Sequence, residues 1–447
     1  MLSIVPDTLS RSGAGEASPD GTAGTADTAD TAAGDAASLV DRFGRVHRDL
    51  RISLTDRCSL RCTYCMPAEG GPWLSRSSIL SADEIVRVAR VCARAGITTF
   101  RLTGGEPLLR ADIVQVVRGL AQLRGPGGEP VEVVMTTNGI RLAGLLDDLV
   151  TAGLSRVNIS LDTLRPERFA ALTRRDRLAD VLEGIDAVAA SPLRPLKLNA
   201  VAMRGINDGE ITDMVEFAVA HGAQMRFIEQ MPLDVAHTWA RDRMVTRDEI
   251  LLALSSRWSL TPVPDRGSAP AELWRLDDTD DTVGVIAAVS APFCGHCDRL
   301  RLTADGQLRN CLFATSEFDL AAVLRRPGDS GVDGVDDVDG AIDRMLRAGV
   351  HAKLPGHGIN DPGFLQPARG MNAIGGLWPA RAAQSARAAR TAAQNIHCGL
   401  SAVRDGGAES VTRTGFSRFV WEPSSWSVSG LRQPGTPPSR PGRAAAR

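Results

Sequence analysis

The chain has 447 residues, of which 43% are hydrophobic and 23% charged, an ordinary composition for globular domains with a sizeable core. Its formal net charge of −2 gives no reason to expect binding to nucleic acid or to an anionic membrane. No apolar run is long enough to cross a bilayer and no secretory leader opens the chain, so we expect a cytoplasmic protein. There, the eight cysteines are expected to be ligands or core residues rather than disulfides.

The two ends of the chain differ from its middle. Residues 1–42 are rich in Ala, Gly, Thr and Asp, and residues 377–447 are rich in Ala, Arg, Ser and Pro. Neither stretch carries enough apolar surface to offset the entropy of ordering it, so both are predicted to be disordered. A basic tail can also contact nucleic acid, but a solvated tail is the simpler interpretation.

Between the ends, short β-branched runs alternate with amphipathic helical stretches. The predicted strands are, in chain order, DLRISL, ITTFRLT, VEVVMTT, RVNISL, LKLNAVAM and AQMRFIEQM. A helical stretch follows each of the first five strands, and Ser81 and Glu84 form a capping box at the start of the first helix. Repeated strand–helix units predict an α/β fold with a parallel sheet, right-handed crossovers and curvature into a partial (βα)6 TIM-type barrel over residues 43–240.

The pattern changes after about residue 240. One helical stretch, TRDEILLALSSRW, leads into shorter strands, a second cysteine group and a Gly/Asp-rich insertion, RRPGDSGVDGVDDVDG. We interpret residues 241–376 as a smaller C-terminal subdomain that packs against the open face of the barrel.

The loop after the first strand, CSLRCTYC, carries Cys58, Cys62 and Cys65. Parallel sheets bind ligands at the carboxyl ends of their strands, where this loop lies. Soft thiolates select zinc or iron–sulfur clusters, and a structural zinc would need a fourth ligand that does not follow at finger-like spacing. A [4Fe–4S] cluster held by three cysteines leaves one iron open to a small molecule. A zinc site or three incidental thiols are the alternatives.

The segment LTGGEP, residues 102–107, ends the second strand and is therefore expected beside the cysteine loop. Two glycines without side chains let the backbone approach a ligand closely. A glycine pair at a strand end is often only a turn. The prediction that this pair contacts a ligand therefore depends on its position next to the cysteine loop.

A second cysteine group, FCGHCDRLRLTADGQLRNC, carries Cys294, Cys297 and Cys311. His296 could complete a zinc site, which is the main alternative to a second cluster. Arg299 and Arg301, two apart on a strand, point to one face, and the planar guanidinium group suits phosphate. A solvated strand edge is the simpler alternative for this pair.

The CxxxCxxC spacing, with Tyr64 before the last cysteine and Gly-Gly-Glu-Pro one strand later, resembles the radical S-adenosylmethionine (SAM) superfamily. Together with CxxC-x13-C and DRLRL, residues 44–376 resemble the GTP 3′,8-cyclase family, which acts first in molybdenum cofactor biosynthesis. The resemblance implies two [4Fe–4S] clusters, one chelating SAM and one binding the guanine of GTP. It also implies that a 5′-deoxyadenosyl radical takes hydrogen from C3′ of GTP, and that the sugar radical closes onto C8 to give 3′,8-cyclo-7,8-dihydro-GTP.

The resemblance further implies roles for individual residues and for partners. The implied SAM contacts are Tyr64, Gly105, Ser160 and Met231. The implied GTP contacts are Arg51, Arg101, Thr136, Lys197, Arg299 and Arg301. Each of these can also be an ordinary barrel-lining or solvated side chain. The implied partners are an electron donor such as flavodoxin or ferredoxin, a second copy in a possible homodimer, and cyclic pyranopterin monophosphate synthase as recipient of the product. No membrane or nucleic-acid partner is implied.

The C-terminus departs from the family, which normally ends in two glycines that reach into the active site. Here Gly375 and Gly376 are followed by 71 further residues, so the tail is clipped, leaves the site sideways or reduces activity. Two competing hypotheses stay open. A radical SAM peptide-modifying enzyme with auxiliary clusters would usually carry more C-terminal cysteines, and a zinc-stabilised regulatory or nucleic-acid-binding protein would need no Gly-Gly-Glu-Pro.

Overall fold

The computed structural model describes residues 38–71, 73–234, 237–326, 334–367, 369 and 371. Residues 1–37 and the predicted tail, with Gly375 and Gly376, lie outside the described residues. Residues 38–42, which composition placed in the N-terminal extension, are part of the fold. Leu39 is buried in the core, and the buried Asp41 accepts a hydrogen bond from the Arg45 backbone at 3.1 Å. The average composition of a sequence window does not reveal one buried leucine at the edge of that window.

The centre of the fold is a sheet whose six successive strands run parallel, which confirms the predicted α/β class and the partial (βα)6 barrel. These strands are β1 (Asp49–Ser53), β2 (Thr99–Thr103), β3 (Glu132–Thr137), β4 (Arg156–Ser160), β5 (Leu196–Ala202) and β6 (Ala223–Glu229). Each lies close to the stretch predicted for it, because β-branched alternation is a local signal.

Helices connect the strands and cover the outer face of the sheet. They are α1 (Ala82–Arg94), α2 (Ile113–Ala121), α3 (Leu146–Thr151), α4 (Pro166–Thr173), α5 (Leu178–Ala190), α6 (Ile211–Ala220), α7 (Arg247–Ser255), α8 (Leu320–Leu324) and α9 (Gly334–His351). The predicted capping box opens α1: the Ser81 hydroxyl accepts from the Glu84 backbone at 3.1 Å, and the Glu84 carboxylate accepts from the Ser81 backbone at 2.7 Å. Cys92 in α1 is buried among apolar side chains.

The chain after residue 240 extends the same sheet at both edges. It contributes β7 (Leu260–Pro262), β8 (Glu272–Leu276), β9 (Thr282–Ile286), β10 (Arg299–Leu302), β11 (Gln307–Arg309) and β12 (Phe318–Asp319). Strand β9 pairs in parallel with β6, and β10 pairs in parallel with β1. The C-terminal segment therefore covers the two free edges of the barrel sheet, rather than packing on its open face as a separate layer, because unpaired edge groups need partners. The boundary at residue 240 stays a prediction.

Apolar and polar residues alternate along the strands, so the sheet has an apolar face toward the helices and a polar face toward the inside of the barrel. In β1, for example, Leu50 and Ile52 are fully buried on the outer side, and Asp49, Arg51 and Ser53 point inward. Parallel register then lines up inward residues of neighbouring strands, because equivalent positions stand side by side. Among the described helices, none combines the length and apolar character needed to cross a membrane.

Candidate active site

The inward faces of the strands enclose a cavity of about 600 Å³. Every predicted site residue that the structure describes lines this one cavity: Cys58, Cys62, Cys65, Cys294, Cys297, Cys311, Tyr64, Gly105, Ser160, Met231, Arg51, Arg101, Thr136, Lys197, Arg299 and Arg301. Gly375 and Gly376 are not among the described residues. The two cysteine triads thus share a common space, as the hypothesis of two facing clusters requires.

The first triad lies in the loop after β1, and the glycine pair after β2 holds that loop in place. Gly105 donates its backbone N–H to the Thr55 carbonyl at 2.7 Å. A methyl group on Gly105 would overlap the Arg57 carbonyl and stand 2.5 Å from the Asp56 carbonyl oxygen. The glycines are therefore required for close approach of two backbones, besides any contact with a ligand, and this pairing anchors the cysteine loop.

Glu106 of the same segment ties β2 to β3 through the hydrogen bonds of its side chain. Its buried carboxylate accepts hydrogen bonds from the Thr137 hydroxyl at 2.6 Å and from the Asn138 backbone at 2.8 Å. Burial raises the pKa of Glu106 above its ordinary value, although these hydrogen bonds oppose the shift. The side chain of Asn138 reaches Cys58, with 3.8 Å between Nδ2 and Sγ.

The surroundings of the first triad favour neutral thiols in the free protein. Burial, and then the nearby Glu106 carboxylate, raise the pKa of Cys58 to about 11. Burial and Asp162 raise the pKa of Cys62 in the same way. The Tyr64 hydroxyl donates to Asp162 at 2.7 Å, which fixes the ring beside the triad. Binding of a soft metal centre would displace the thiol protons, because thiolates are the ligating form.

The second triad is held by the turn before β10 and by the loop after β11. The Cys297 N–H donates to the Cys294 carbonyl at 3.1 Å, which closes the turn. Arg45, from the N-terminal segment, also donates to the Cys294 carbonyl at 2.8 Å and to the Leu354 carbonyl at 2.7 Å. A buried ion pair of Arg45 with Asp41 at 2.6 Å orients this guanidinium. The N-terminal segment therefore braces the second cysteine loop.

Cations surround Cys297, in contrast to the carboxylates near the first triad. Arg299 Nε lies 3.4 Å and Lys353 Nζ 3.5 Å from the Cys297 sulfur. Burial alone would raise the pKa of Cys297, but Arg299 and Lys353 lower it to about 7. Arg299 also stands over the ring of Phe293, with 4.8 Å from its guanidinium carbon to the ring centre.

A row of arginines crosses the floor of the cavity. Register pairs Arg301 of β10 with Arg51 of β1, and Arg51 with Arg101 of β2. Burial, and then the adjacent Arg301, lower the pKa of Arg51 to about 9. Asp49 stands 3.8 Å from Arg51 Nε and 3.7 Å from Arg101 Nε, too far for hydrogen bonds. Within the described chain these buried Nε groups have no hydrogen-bond acceptor, so the row is built to receive an anion.

Lys197 extends the cationic surface on β5, next to two arginines that were not predicted from the sequence. Arg226 of β6 and Arg156 of β4 also line the cavity. Burial, and then Arg101, lower the pKa of Arg226 to about 10. Arg156 is held by Glu132 across the β3–β4 pair. Arg156 begins β4 and Arg226 lies inside β6, both at inward positions. Counting alternate residues along these strands could have identified them from the sequence.

The remaining predicted contacts lie around the rim of the strands. Thr136 on β3 is opposite Asn158 on β4, whose side-chain oxygen is buried without a partner among the described residues. Ser160 ends β4, and Met231 lies two residues beyond the end of β6 rather than at it. Unpartnered amide and guanidinium groups on one cavity wall are suited to a polar ligand with several hydrogen-bonding groups.

The donor sets fit the implied cofactors. Three thiols at each end, with N–H donors directed at Cys58 and Cys297, are the environment that iron–sulfur ligands require. Within the described chain, no group of three or more His, Cys, Asp or Glu side chains lies close enough to bind a single metal ion.

Comparison with known proteins assigns a family to the chain. The model of the radical SAM superfamily matches residues 52–218, and the model described as Molybdenum Cofactor Synthesis C matches residues 223–357. Relatives named GTP 3′,8-cyclase include that of Corynebacterium glutamicum, 49% identical over 76% of this chain and 89% of the relative. That of Streptomyces coelicolor is 52% identical over 76% of this chain and 96% of the relative. That of Mycolicibacterium smegmatis is 49% identical over 76% of this chain and 92% of the relative. The chain therefore belongs to the GTP 3′,8-cyclase family of the radical SAM superfamily.

Proposed function

We propose that this protein is a GTP 3′,8-cyclase that converts GTP into 3′,8-cyclo-7,8-dihydro-GTP, the first step of molybdenum cofactor biosynthesis. Its cofactors are SAM and two [4Fe–4S] clusters. The observation that carries the proposal is the cavity in which both cysteine triads and the row formed by Arg301, Arg51 and Arg101 meet. When bound, the first cluster with SAM supplies a 5′-deoxyadenosyl radical that removes the C3′ hydrogen, and the second cluster supplies an open iron for guanine.

The arginine row and Lys197 bind the triphosphate in this proposal. A nucleoside triphosphate carries about four negative charges at neutral pH. Among the described residues, Nε of Arg51 and both Nε and Nη1 of Arg101 are buried donors without a hydrogen-bond partner. Lys197 adds a cation whose pKa is lowered to about 7 by burial. Anchoring the triphosphate there fixes the nucleotide at one end, which leaves its base to reach the second triad. Arg299 and Thr136 complete the proposed GTP contacts.

The side of the cavity near the first triad binds SAM in this proposal. Gly105 presents its backbone without a side chain, and Ser160 and Met231 stand at the ends of β4 and β6. Tyr64 is held by Asp162, so its ring forms a fixed wall beside the cysteines. These residues orient the sulfonium cofactor toward the same space that the nucleotide occupies, because the chemistry needs the two ligands in contact.

The chain also restricts what else can enter the cavity. Apolar side chains near the second triad, including Leu312 and Phe313, line the wall that faces the proposed base. Apolar walls exclude water, which protects a radical reaction from stray proton and hydrogen donors.

The finer partner assignments belong to the same proposal. An external donor such as flavodoxin or ferredoxin supplies electrons, the protein forms a homodimer, and cyclic pyranopterin monophosphate synthase receives the product. The reaction takes place in the cytoplasm, where the thiols stay reduced.

The test is anaerobic incubation of the iron–sulfur-reconstituted protein with SAM, dithionite and GTP deuterated at C3′. We expect deuterium in the 5′-deoxyadenosine and a cyclised GTP product. Arg301→Met should abolish the GTP-dependent signal, and Arg275→Met, at a half-exposed position on β8, should not. Formation of 5′-deoxyadenosine that is neither stimulated by GTP nor labelled from it would contradict the proposal.

A further inference from the structure

The sequence contains two lysines against 49 arginines. One is Lys197, already placed on the cavity wall. The other is Lys353, two residues after the end of α9. Arginine supplies nearly every other cation of this chain, so the two lysines are unusual: an ammonium group is a compact point charge, whereas a guanidinium group is a planar fork.

Lys353 is enclosed beside the second triad. Its side chain is almost fully buried, with a residue exposure of 3%. The Nζ atom donates to the Arg299 carbonyl at 2.8 Å and lies 3.5 Å from the Cys297 sulfur. The ammonium group therefore bridges the backbone of β10 and one cysteine of the triad.

The charge of Lys353 has no carboxylate to balance it. In the part of the chain that the structure describes, no Asp or Glu oxygen forms an ion pair with Nζ. The buried carboxylate of Asp41 is paired with Arg45 instead, at 2.6 Å. His47 is uncharged at neutral pH, because burial and then Lys353 lower its pKa to about 4. A buried cation without a counter-ion is costly, so the anionic partner must be the thiolate side of the triad.

We propose that Lys353 is a positioning residue for the second cysteine triad, where its ammonium group holds the Cys297 sulfur and raises the reduction potential of the cluster bound there. This inference rests on the proposed function, since it requires a cluster on Cys294, Cys297 and Cys311. Cations and N–H donors at cluster sulfurs stabilise the reduced, more negative cluster. The same positive charge makes the open iron a stronger Lewis acid, which favours coordination of a nucleobase.

The effect should be specific to the second cluster. Hydrogen bonds to Cys58 of the first triad come from neutral donors, the Leu60 backbone at 3.4 Å and the Asn138 amide at 3.8 Å. Removing Lys353 therefore changes the second cluster directly and leaves the donors of the first unchanged.

The test is a redox titration of the full-length, two-cluster protein followed by electron paramagnetic resonance. The second cluster is identified as the one whose reduced spectrum changes when GTP is added. At the wild-type midpoint potential, Lys353→Met should lower the ratio of reduced to oxidised second cluster about tenfold, a downward shift of about 59 mV for a one-electron couple. The midpoint of the first cluster should stay the same.

The control is Arg347→Met, which removes one positive charge from α9 at a side chain that is 41% exposed and paired with Asp343. It should leave both midpoints unchanged. Lys353→Gln keeps a hydrogen-bond donor without the charge and should shift the second cluster in the same direction as Lys353→Met. If the Lys353→Met protein does not bind the second cluster, the midpoint potential of the second cluster in Lys353→Gln tests the inference.

Equal midpoints in wild type and both Lys353 variants would overturn the inference, as would an equal shift of both clusters. Wild-type protein that binds only about four irons, instead of about eight, would instead contradict the proposed function. The two failures are therefore distinguishable.

Discussion

Lys197 should make the binding of GTP pH-dependent near neutrality. Burial, and then the neighbouring Arg226 and Arg156, lower the pKa of Lys197 to about 7 in the free protein. A bound triphosphate adds negative charge beside the ammonium group and raises this pKa again. Below pH 7 Lys197 is already charged, and the attraction is complete. Above pH 7 the free protein must take up a proton to bind, so affinity falls as the pH rises.

The magnitude follows from proton linkage. With a free-state pKa of about 7 and a bound-state pKa restored to the ordinary value of 10.5, the dissociation constant for GTP rises about fivefold between pH 7 and 8 and about ninefold between pH 8 and 9. Titration of the terminal phosphate acts in the opposite direction, because GTP gains negative charge over the same range. The observed rise therefore sets a lower limit on the contribution of Lys197.

The assay is anaerobic calorimetric titration of GTP at pH 6.5, 7, 8 and 9, in pairs of buffers with different ionisation enthalpies. We expect uptake of protons on binding at pH 8. Lys197→Arg keeps the charge between pH 6.5 and 8, so over that range it should abolish both the proton uptake and the rise in dissociation constant. Wild type and Lys197→Arg with the same pH profile would refute the assignment of a neutral lysine in the free protein.

Three further predictions concern the loops. Gly105→Ala should lower the free energy of unfolding by about 1–3 kcal/mol and weaken SAM binding, because the added methyl group would overlap backbone atoms. Denaturant titration and a SAM-binding assay measure the two effects, and the control Gly144→Ala, which has open space around it, should change neither. Arg45→Met should destabilise the protein by about 3–5 kcal/mol by leaving a buried carboxylate unpaired, and should reduce iron from about eight to about four per chain; iron analysis of the exposed variant Arg42→Met should match wild type. Truncation after Gly376 should raise cyclase turnover or leave it unchanged, and a loss of turnover would count against a dispensable tail.

Local patterns in the sequence were sufficient to predict the strands, and they pointed to the two cysteine groups as candidate ligands. The resemblance to the family implied Arg51, Arg101 and Lys197 as contacts, and parallel strands present such residues at one edge of a sheet. The cysteines within CSLRCTYC and within FCGHC are so close along the chain that their sulfur atoms must lie near one another. The structure brings all of these residues to one cavity.

Arg226 shows where a local signal existed and was not used. It interrupts the apolar strand AQMRFIEQM at an inward position. This strand was predicted only as the sixth element of the barrel, so the inward position of its single arginine was not among the predicted contacts.

The sequence alone thus determined the order of the strands and helices and the spacing of the two cysteine groups, since both are local features of the chain. Only the tertiary structure decided that β9 and β10 close the two sheet edges, and that Arg45 and Lys353 reach the second triad. Arg45 contacts a residue 249 positions away, and Lys353 one 56 positions away. No periodicity encodes such pairs, because long connections allow many partners and packing of the whole chain selects among them.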